Sequence, residues 1–165
     1  MKKLFLLLTL IFLISCKNSN SEVYSLRVIF DLKIKENDKF KFYYKSDGES
    51  FSKDKSIVQN VIGNEGFQKI KFIAPSLAPS IRLDYGTEKN QEITIKNITF
   101  KYKDKKYVIN QNDVHKAFAK NKWIELVDKN NAIYRPKIIE NKARPKLFLK
   151  KHVVEDIISQ FKGQN

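Results

Sequence analysis

The chain of 165 residues contains one cysteine, five glycines, four prolines and one tryptophan. A single cysteine excludes an intramolecular disulfide framework, and so few glycines and prolines exclude a collagen-like or linker-rich chain. The most apolar stretch, Leu4 to Ile14, has eleven residues, which is too short for a membrane-spanning helix of about 20. What is present, 42% hydrophobic and 30% charged residues, predicts one globular domain that is long enough to bury a core.

The formal net charge is +14, and a basic protein raises the question of nucleic acid or another anionic partner. Nearly all of the excess is lysine, and the lysines alternate with other residues, as in KYKDKKY from residue 101 to 107. Interspersed charge of this kind is typical of a solvated surface. We therefore expect no nucleic-acid partner.

The N-terminus has the parts of an export signal: Lys2 and Lys3, the apolar stretch, and then LISC, which ends at Cys16. LISC resembles the lipobox of bacterial lipoproteins. The resemblance implies that a peptidase cuts between Ser15 and Cys16, and that the Cys16 thiol and the new amino group carry fatty acyl chains. Each buried methylene contributes roughly 0.8 kcal/mol, so several chains would hold the protein on a membrane.

This resemblance divides the N-terminal region into a signal peptide, residues 1–15, and a lipidated cysteine with a polar tether, residues 16–22. In lipoprotein sorting, aspartate after the cysteine signals retention in the inner membrane. Lys17 stands there instead, which favours the outer membrane of the cell envelope and leaves open which face the protein occupies.

Residues 23–103 alternate between apolar and polar side chains, which indicates antiparallel strands with one buried face. The segments LRVIFDLKI, DKFKFYYK, GFQKIKFIAP, SIRLDYG and EITIKNITFKY follow one another with turn sequences between them. We therefore predict a mainly β fold, an antiparallel, jelly-roll-like β-sandwich. The alternation changes parity at Lys96 and Asn97, which predicts a bulge or a strand break there.

Residues 104–165 read as a small α/β extension packed on the sandwich. The segment NDVHKAFAKNK predicts a helix capped by Asn112, and WIELVD and AIYR predict short strands. Apolar residues at helical spacing near the end predict an amphipathic helix that stops at Gly163; they are Val154, Ile157, Ile158 and Phe161.

The order of strands in 23–103 resembles the galactose-binding-like jelly roll of many carbohydrate-binding modules. The resemblance lies in an R-L-x-x-G strand followed by an I-x-x-I strand; the matching residues are Arg82, Leu83, Gly86, Ile95 and Ile98. It implies the fold first and glycan binding second. Sugar-binding members present aromatic rings and planar polar groups, whereas the single tryptophan, Trp123, lies outside this segment.

Four residues are candidates for ligand binding. Arg82 and Asp84 share one strand face, where they could grip sugar hydroxyls or form an ordinary surface ion pair. Tyr43 has outward parity and could stack on a sugar ring or be buried by local twist. Trp123 could be a binding platform, but core packing at a helix-to-strand turn is the simpler interpretation.

We expect no catalytic site, metal or cofactor. His115 and His152 lack partners at ligand spacing, and no nucleophile elbow or phosphate loop is present. A carboxylate-dependent hydrolase is a weak alternative, since Asp31, Asp84, Glu92 and Glu125 could supply an acid/base pair. The leading hypothesis is a lipid-anchored envelope protein that acts without catalysis, either by binding a ligand, for which a glycan is the candidate, or as a scaffold. The alternative is an assembly partner of another envelope protein through the C-terminal extension.

Overall fold

The computed structural model describes residues 24–163 except 87 and 89. Ser15 and Cys16, with the rest of the predicted signal peptide and tether, lie outside the described residues. Among the residues that are described, no helix has both the length and the apolar content needed to cross a bilayer.

The fold is mainly β, as predicted, with antiparallel strands throughout the described part of the chain. The strands are β1 (Leu26–Ile34), β2 (Asp38–Lys45), β3 (Ser56–Val61), β4 (Asn64–Ala74), β5 (Ser80–Asp84), β6 (Ile93–Tyr102), β7 (Lys105–Asn110), β8 (Phe118–Lys120), β9 (Ile124–Asp128), β10 (Ile133–Pro136) and β11 (Lys146–Leu149). The helices are α1 (Val114–Ala117) and α2 (Lys151–Lys162).

The strands form two sheets. Sheet 1 has the order β4-β1-β6-β10-β9, and β7 pairs with the part of the β6 edge that β10 leaves free. Sheet 2 has the order β3-β2-β5-β11-β8. The two sheets pack on each other, so the predicted antiparallel sandwich is confirmed.

The core lies between the sheets and follows from the period-two pattern of the strands. On β1, Val28, Phe30 and Leu32 are fully buried. The rings of Phe42 and Phe72 stack with centroids 4.9 Å apart and join sheet 2 to sheet 1. Each such ring contributes about 1.5–3 kcal/mol by leaving water. Within the described residues, the core extends from Leu26 to Phe161.

The bulge predicted at Lys96 and Asn97 is confirmed. Asp31 lies opposite Asn97 and Leu32 lies opposite Ile95, so Lys96 is the extra residue of β6. The bulge turns Ile95 and Ile98 to the same buried side although they are three residues apart.

The segment after residue 103 takes part in the sandwich rather than packing on it, and this part of the prediction is revised. Its strands β7, β9 and β10 complete sheet 1, and β8 and β11 complete sheet 2. Without them, β5 and β6 would each present an unpaired backbone edge. The physical cause is edge pairing, which the alternation of side chains does not encode.

The helix predicted over residues 112–122 is wrong in extent. Helix α1 covers four residues, its N-cap is Asp113 without a side-chain capping bond, and the chain turns at Phe118 into β8. Phe118 is buried and pairs with Leu149 at the edge of sheet 2. Tertiary burial of this phenylalanine overrides the local helical spacing.

The predicted C-terminal helix is confirmed as α2. Its buried residues include Val154, Ile157 and Phe161, and the Phe161 ring stacks on Tyr102 at 6.0 Å. Gly163 ends the helix with φ of 74°, and its N–H donates to the Ser159 carbonyl. A glycine accepts this left-handed conformation without a steric penalty.

A buried polar network fixes the ends of β2 and β5. Gln91, which is 1% exposed, accepts hydrogen bonds at Oε1 from the backbone N–H groups of Lys35, Glu36 and Glu92, each at 3.1 Å. Its Nε2 donates to the Glu36 carbonyl at 2.8 Å and to Asp38 at 3.3 Å. Asp38 in turn accepts from the Lys39 N–H at 2.7 Å and from the Gly86 N–H. Since buried polar groups are costly unless paired, this network holds the loop after β5 against the start of β2.

Candidate functional site

The outer face of sheet 2 brings together three of the four predicted site residues. Along β2, β5 and β11, the inward residues Phe42, Leu83 and Leu147 lie opposite one another and are buried. Their neighbours therefore face outward in two rows. One row contains Tyr43, Arg82 and Phe148, and the next contains Lys41, Asp84 and Lys146.

Arg82 is the centre of this face. Its Nε donates to Asp84 Oδ1 at 2.7 Å and its Nη2 donates to Oδ2 at 3.0 Å, which is a bidentate pair. The guanidinium carbon lies 4.0 Å from the centroid of the Tyr43 ring and 4.8 Å from that of Phe51. These are cation–π distances. The Arg82 side chain is 13% exposed and that of Asp84 20%, so the pair is more buried than the surface ion pair that was the alternative interpretation.

Phe51 is a member of the site that sequence reasoning missed. It lies in the loop between β2 and β3, and its ring contacts Tyr43 at 6.4 Å and Phe148 at 6.2 Å between centroids. In the same loop, Glu49 accepts hydrogen bonds from the Ser46 N–H at 2.9 Å and from Lys55 Nζ at 2.6 Å. We call Tyr43, Phe51, Arg82, Asp84 and Phe148 the aromatic–arginine cluster.

Burial is the largest influence on the pKa of Asp84, the carboxyl of the cluster. Burial raises the pKa of the Asp84 carboxyl above its ordinary value, although the hydrogen bond and charge of Arg82 and the charges of Lys146 and Lys41 act in the opposite direction. Removing the charged form of a carboxyl from water costs more here than these cations return. The hydrogen bond and charge of Arg82 therefore keep this pKa below the level that burial alone would set.

Two concave surfaces adjoin the cluster and share Lys39 and Lys41. One, of about 230 Å³, is lined by Lys39, Lys41, Asp84, Arg144, Pro145 and Lys146 among others. The second, of about 460 Å³, continues past Lys39 and Lys41 to Asn60, Val61, Ile62 and Glu88. We call the two together the lysine groove. A groove beside exposed ring faces is the ordinary form of a ligand site.

Trp123 is not part of this face. It lies in the turn between β8 and β9, where its N–H donates to Asn121 Oδ1 at 3.2 Å and its carbonyl accepts from the Lys137 N–H at 2.7 Å. Lys122 Nζ lies 5.1 Å from the centroid of the indole ring. Trp123 precedes a strand, as predicted, but follows a strand rather than a helix.

The other carboxylates considered for acid/base chemistry lie on sheet 1. Asp31 accepts from Asn97 Nδ2 at 3.3 Å. Glu92 and Glu125 line one cleft of about 260 Å³ with Arg135, whose Nε lies 2.6 Å from Glu92 Oε2. The partner of Glu92 is thus an arginine, and an acid/base pair needs two carboxyls that face a substrate.

The histidines lie apart from these surfaces. His115 is in α1, where its Nδ1 is buried without a hydrogen-bond partner among the described residues. His152 is exposed in the first turn of α2. Within the described part of the chain, no group of three or more His, Cys, Asp or Glu residues is placed to hold a metal ion.

The arrangement offers flat apolar ring surface, a guanidinium–carboxylate pair and ammonium groups on one face of one sheet. Rings can stack on the apolar face of a sugar, and planar polar groups can bind hydroxyls. These are the means of recognition that the residues themselves supply. No protein-family model, no curated protein and no solved structure matches the chain.

Proposed function

We propose that this chain is a lipid-anchored, noncatalytic binding protein of the bacterial cell envelope, and that its ligand is a glycan held on the outer face of sheet 2. Two independent features support the proposal. The first is the LISC sequence that ends at Cys16. The second, which carries the binding half of the proposal, is the packing of Arg82 against the rings of Tyr43 and Phe51.

The anchor is tested by the mass and solubility of the protein from its native host. We expect a polypeptide that starts at Cys16, is heavier than its sequence by one diacylglyceryl group and acyl chain, and needs detergent for extraction. A Cys16→Ser variant should be released by buffer alone. An unmodified mass together with release of the parent chain by buffer would contradict the envelope location.

The binding surface is supported by its geometry. Tyr43, Phe51 and Phe148 are half-buried rather than fully buried, so each ring keeps part of its surface open to a ligand. The bidentate pair with Asp84 holds the Arg82 side chain in one orientation. A surface with its polar groups already ordered loses less entropy on binding than a flexible one.

A glycan array with the unlipidated chain, beginning at residue 17, tests the binding half directly. This chain keeps every residue of the core. We expect binding to at least one class of glycan, and weakening of that binding by up to about tenfold in Phe148→Ala, taking a stacking contact on one aromatic ring as worth about 0.5–1.5 kcal/mol.

The matched control is Phe67→Ala. Phe67 is 48% exposed on β4 of sheet 1, away from the aromatic–arginine cluster. Equal loss of binding in both variants would contradict a site on sheet 2, and an array without any bound glycan would contradict the glycan as ligand.

A second candidate function is assembly with another envelope protein through the extension after residue 103. The observation in its favour is that Val108, Val127 and Ile138 are each 37–41% exposed. If this candidate holds, Val127→Asp with Ile138→Asp should abolish co-purification with one defined envelope protein, while Phe148→Ala leaves it intact. Scattered exposed aliphatic side chains are ordinary on a monomer, so the glycan remains our first proposal.

A further inference from the structure

The lysine groove is strongly cationic, and its cations are available. Lys39, Lys41, Arg144 and Lys146 line it. Within the described residues, the side chains of these four form none of the hydrogen bonds or ion pairs of the structure, in contrast to Arg82, Lys55 and Arg135. Cations that face a concave surface without an internal partner raise the local concentration of anions.

The acidic groups of the groove do not cancel this charge. Asp84 is already neutralised by its bidentate pair with Arg82. Asp38 is 8% exposed and accepts from the N–H groups of Lys39 and Gly86. Glu88 is exposed at the outer end of the larger cavity. An anionic ligand therefore meets four cations and one exposed carboxylate.

The spacing of the cations suits a ligand with repeated charges. Lys41 and Lys146 lie on either side of Asp84, on strands β2 and β11. Strands that flank a common neighbour are about 10 Å apart, a separation that two linked sugar rings can span. The half-buried ring of Phe148 lies on the same strand as Lys146, two residues further along, and provides apolar surface next to this row of cations.

We propose that the lysine groove binds an acidic glycan, a sugar chain whose successive residues carry carboxylates. The inference rests on the proposed glycan function and adds the class of sugar. Lysine ammonium groups bind the carboxylates, and the rings of the aromatic–arginine cluster stack on the sugar rings next to them. The two cavities form one binding site because Lys39 and Lys41 belong to both.

The experiment compares an oligogalacturonate with its neutral, reduced counterpart of the same length, by calorimetry on the unlipidated chain at low and at physiological salt. We expect the acidic oligomer to bind at least tenfold more tightly than the neutral one, and to weaken as salt rises. The double variant Lys41→Gln with Lys146→Gln should lose about tenfold or more of this affinity. The matched control, Lys69→Gln with Lys71→Gln on β4 of sheet 1, should bind as the parent does.

Each other outcome contradicts a definite part of the inference. Equal binding of acidic and neutral oligomers, unaffected by the double variant, overturns the acidic ligand and leaves the glycan function standing. Absence of binding by both oligomers, together with an empty glycan array, overturns both. Full displacement of the oligomer by millimolar inorganic phosphate shows a site for small anions and overturns the sugar chain. If the double variant fails to fold, Lys41→Arg with Lys146→Arg should keep the affinity, and the salt dependence of the parent decides.

Discussion

The outer faces of the two sheets arise from the same alternation of apolar and polar residues, but they differ in how their arginines are packed. On sheet 1, Ile29 and Asp31 of β1 lie between two lysines of β4 and two polar residues of β6, whereas Arg27 lies between Ile73 and Lys101. Phe67 is the large ring at this edge, and its contact is with Lys96 Nζ at 5.4 Å. On sheet 2, the rings of Tyr43 and Phe51 lie against Arg82, and the ring of Phe148 contacts Phe51.

The difference is one of burial rather than of charge. Arg27 on sheet 1 is exposed, and an exposed cation contributes little to stability. Arg82 on sheet 2 is 13% exposed, and its carboxylate partner is 20% exposed. The neighbouring rings cover the outward-facing Arg82 and make it part of the aromatic–arginine cluster. The same arginine substitution should therefore change the free energy of unfolding by different amounts on the two sheets.

The largest difference should come from removing the arginine. In Arg82→Met, the half-buried Asp84 loses its partner, and we expect the free energy of unfolding to fall by about 2 kcal/mol. Arg27→Met on sheet 1 should change it by less than about 0.5 kcal/mol. Urea denaturation of both variants measures the difference.

The double variant Arg82→Met with Asp84→Asn separates loss of a partner from loss of packing. It should recover at least half of the deficit, because no unpaired carboxylate remains. Equal destabilisation by Arg82→Met and Arg27→Met would show that the two faces do not differ in the way described.

A smaller difference in stability is expected between alanine substitutions of Phe51, on the sheet 2 side, and Phe67, on sheet 1. Phe51→Ala removes contacts with Tyr43, Phe148 and Arg82, and should cost about 1–2 kcal/mol. Phe67→Ala, at a ring that is 48% exposed, should cost less than about 0.5 kcal/mol. Thermal unfolding of the two variants gives the comparison, and a larger loss in Phe67→Ala would reverse it.

The pH dependence of the stability of Arg82→Met, compared with that of Arg27→Met, is a further test of the difference between the two faces. The folded pKa of Asp84 is raised above 3.8 by burial, so the folded state takes up a proton at higher pH than the unfolded state does. Its contribution to stability is therefore complete below the unfolded pKa and is lost as pH rises through the folded pKa.

Without Arg82, burial is opposed only by the charges of Lys146 and Lys41, and the pKa of Asp84 should rise further. The deficit of Arg82→Met relative to the parent should then shrink as pH falls from 7 toward 4, because the orphaned carboxyl becomes neutral. Urea denaturation across this range tests it, with Arg27→Met as the control whose deficit stays flat. A deficit that grows in acid would contradict burial as the cause.

The smallest effect concerns the loop that carries Phe51. The hydrogen bond from Lys55, with that from Ser46, lowers the pKa of Glu49 below 4.5. In Lys55→Gln this pKa should rise toward its ordinary value, as measured by NMR titration, while the midpoint of urea denaturation stays unchanged because the pair is exposed. A clear loss of stability would show that the ion pair, rather than the Phe51 ring, holds the loop.

Period-two alternation accounts for much of what could be predicted. It placed β1, β2, β5 and β6 and the outward parity of Tyr43, Arg82 and Asp84, since each depends on local side-chain pattern. The bulge at Lys96 was visible for the same reason. Strand β3 was missed, because Gln59 occupies an inward position at the sheet edge, where it donates to the Lys71 carbonyl at 2.8 Å and breaks the apolar pattern.

The remainder of the site depends on contacts between distant parts of the chain. Phe148 belongs to a segment that reads as basic, and its place beside Arg82 arises only because β11 pairs with β5. Phe51 lies in a serine-rich loop without periodicity. The lysine groove is formed by residues from β2, β5 and the segment before β11. No local sequence pattern predicts that these residues lie close together.

The position of β11 in sheet 2 also determines the stage of chain synthesis at which this sheet can form. In the described part of sheet 2, β8 pairs with β11 alone, and β11 separates it from β5. A polypeptide that emerges N-terminus first, from a ribosome or a translocation channel, therefore delivers β8 before the strand that joins it to its sheet. The second edge of β5 is also unpaired until β11 (Lys146–Leu149) is present. Sheet 2 can therefore be completed, and the core between the sheets closed, only after residue 149 has emerged.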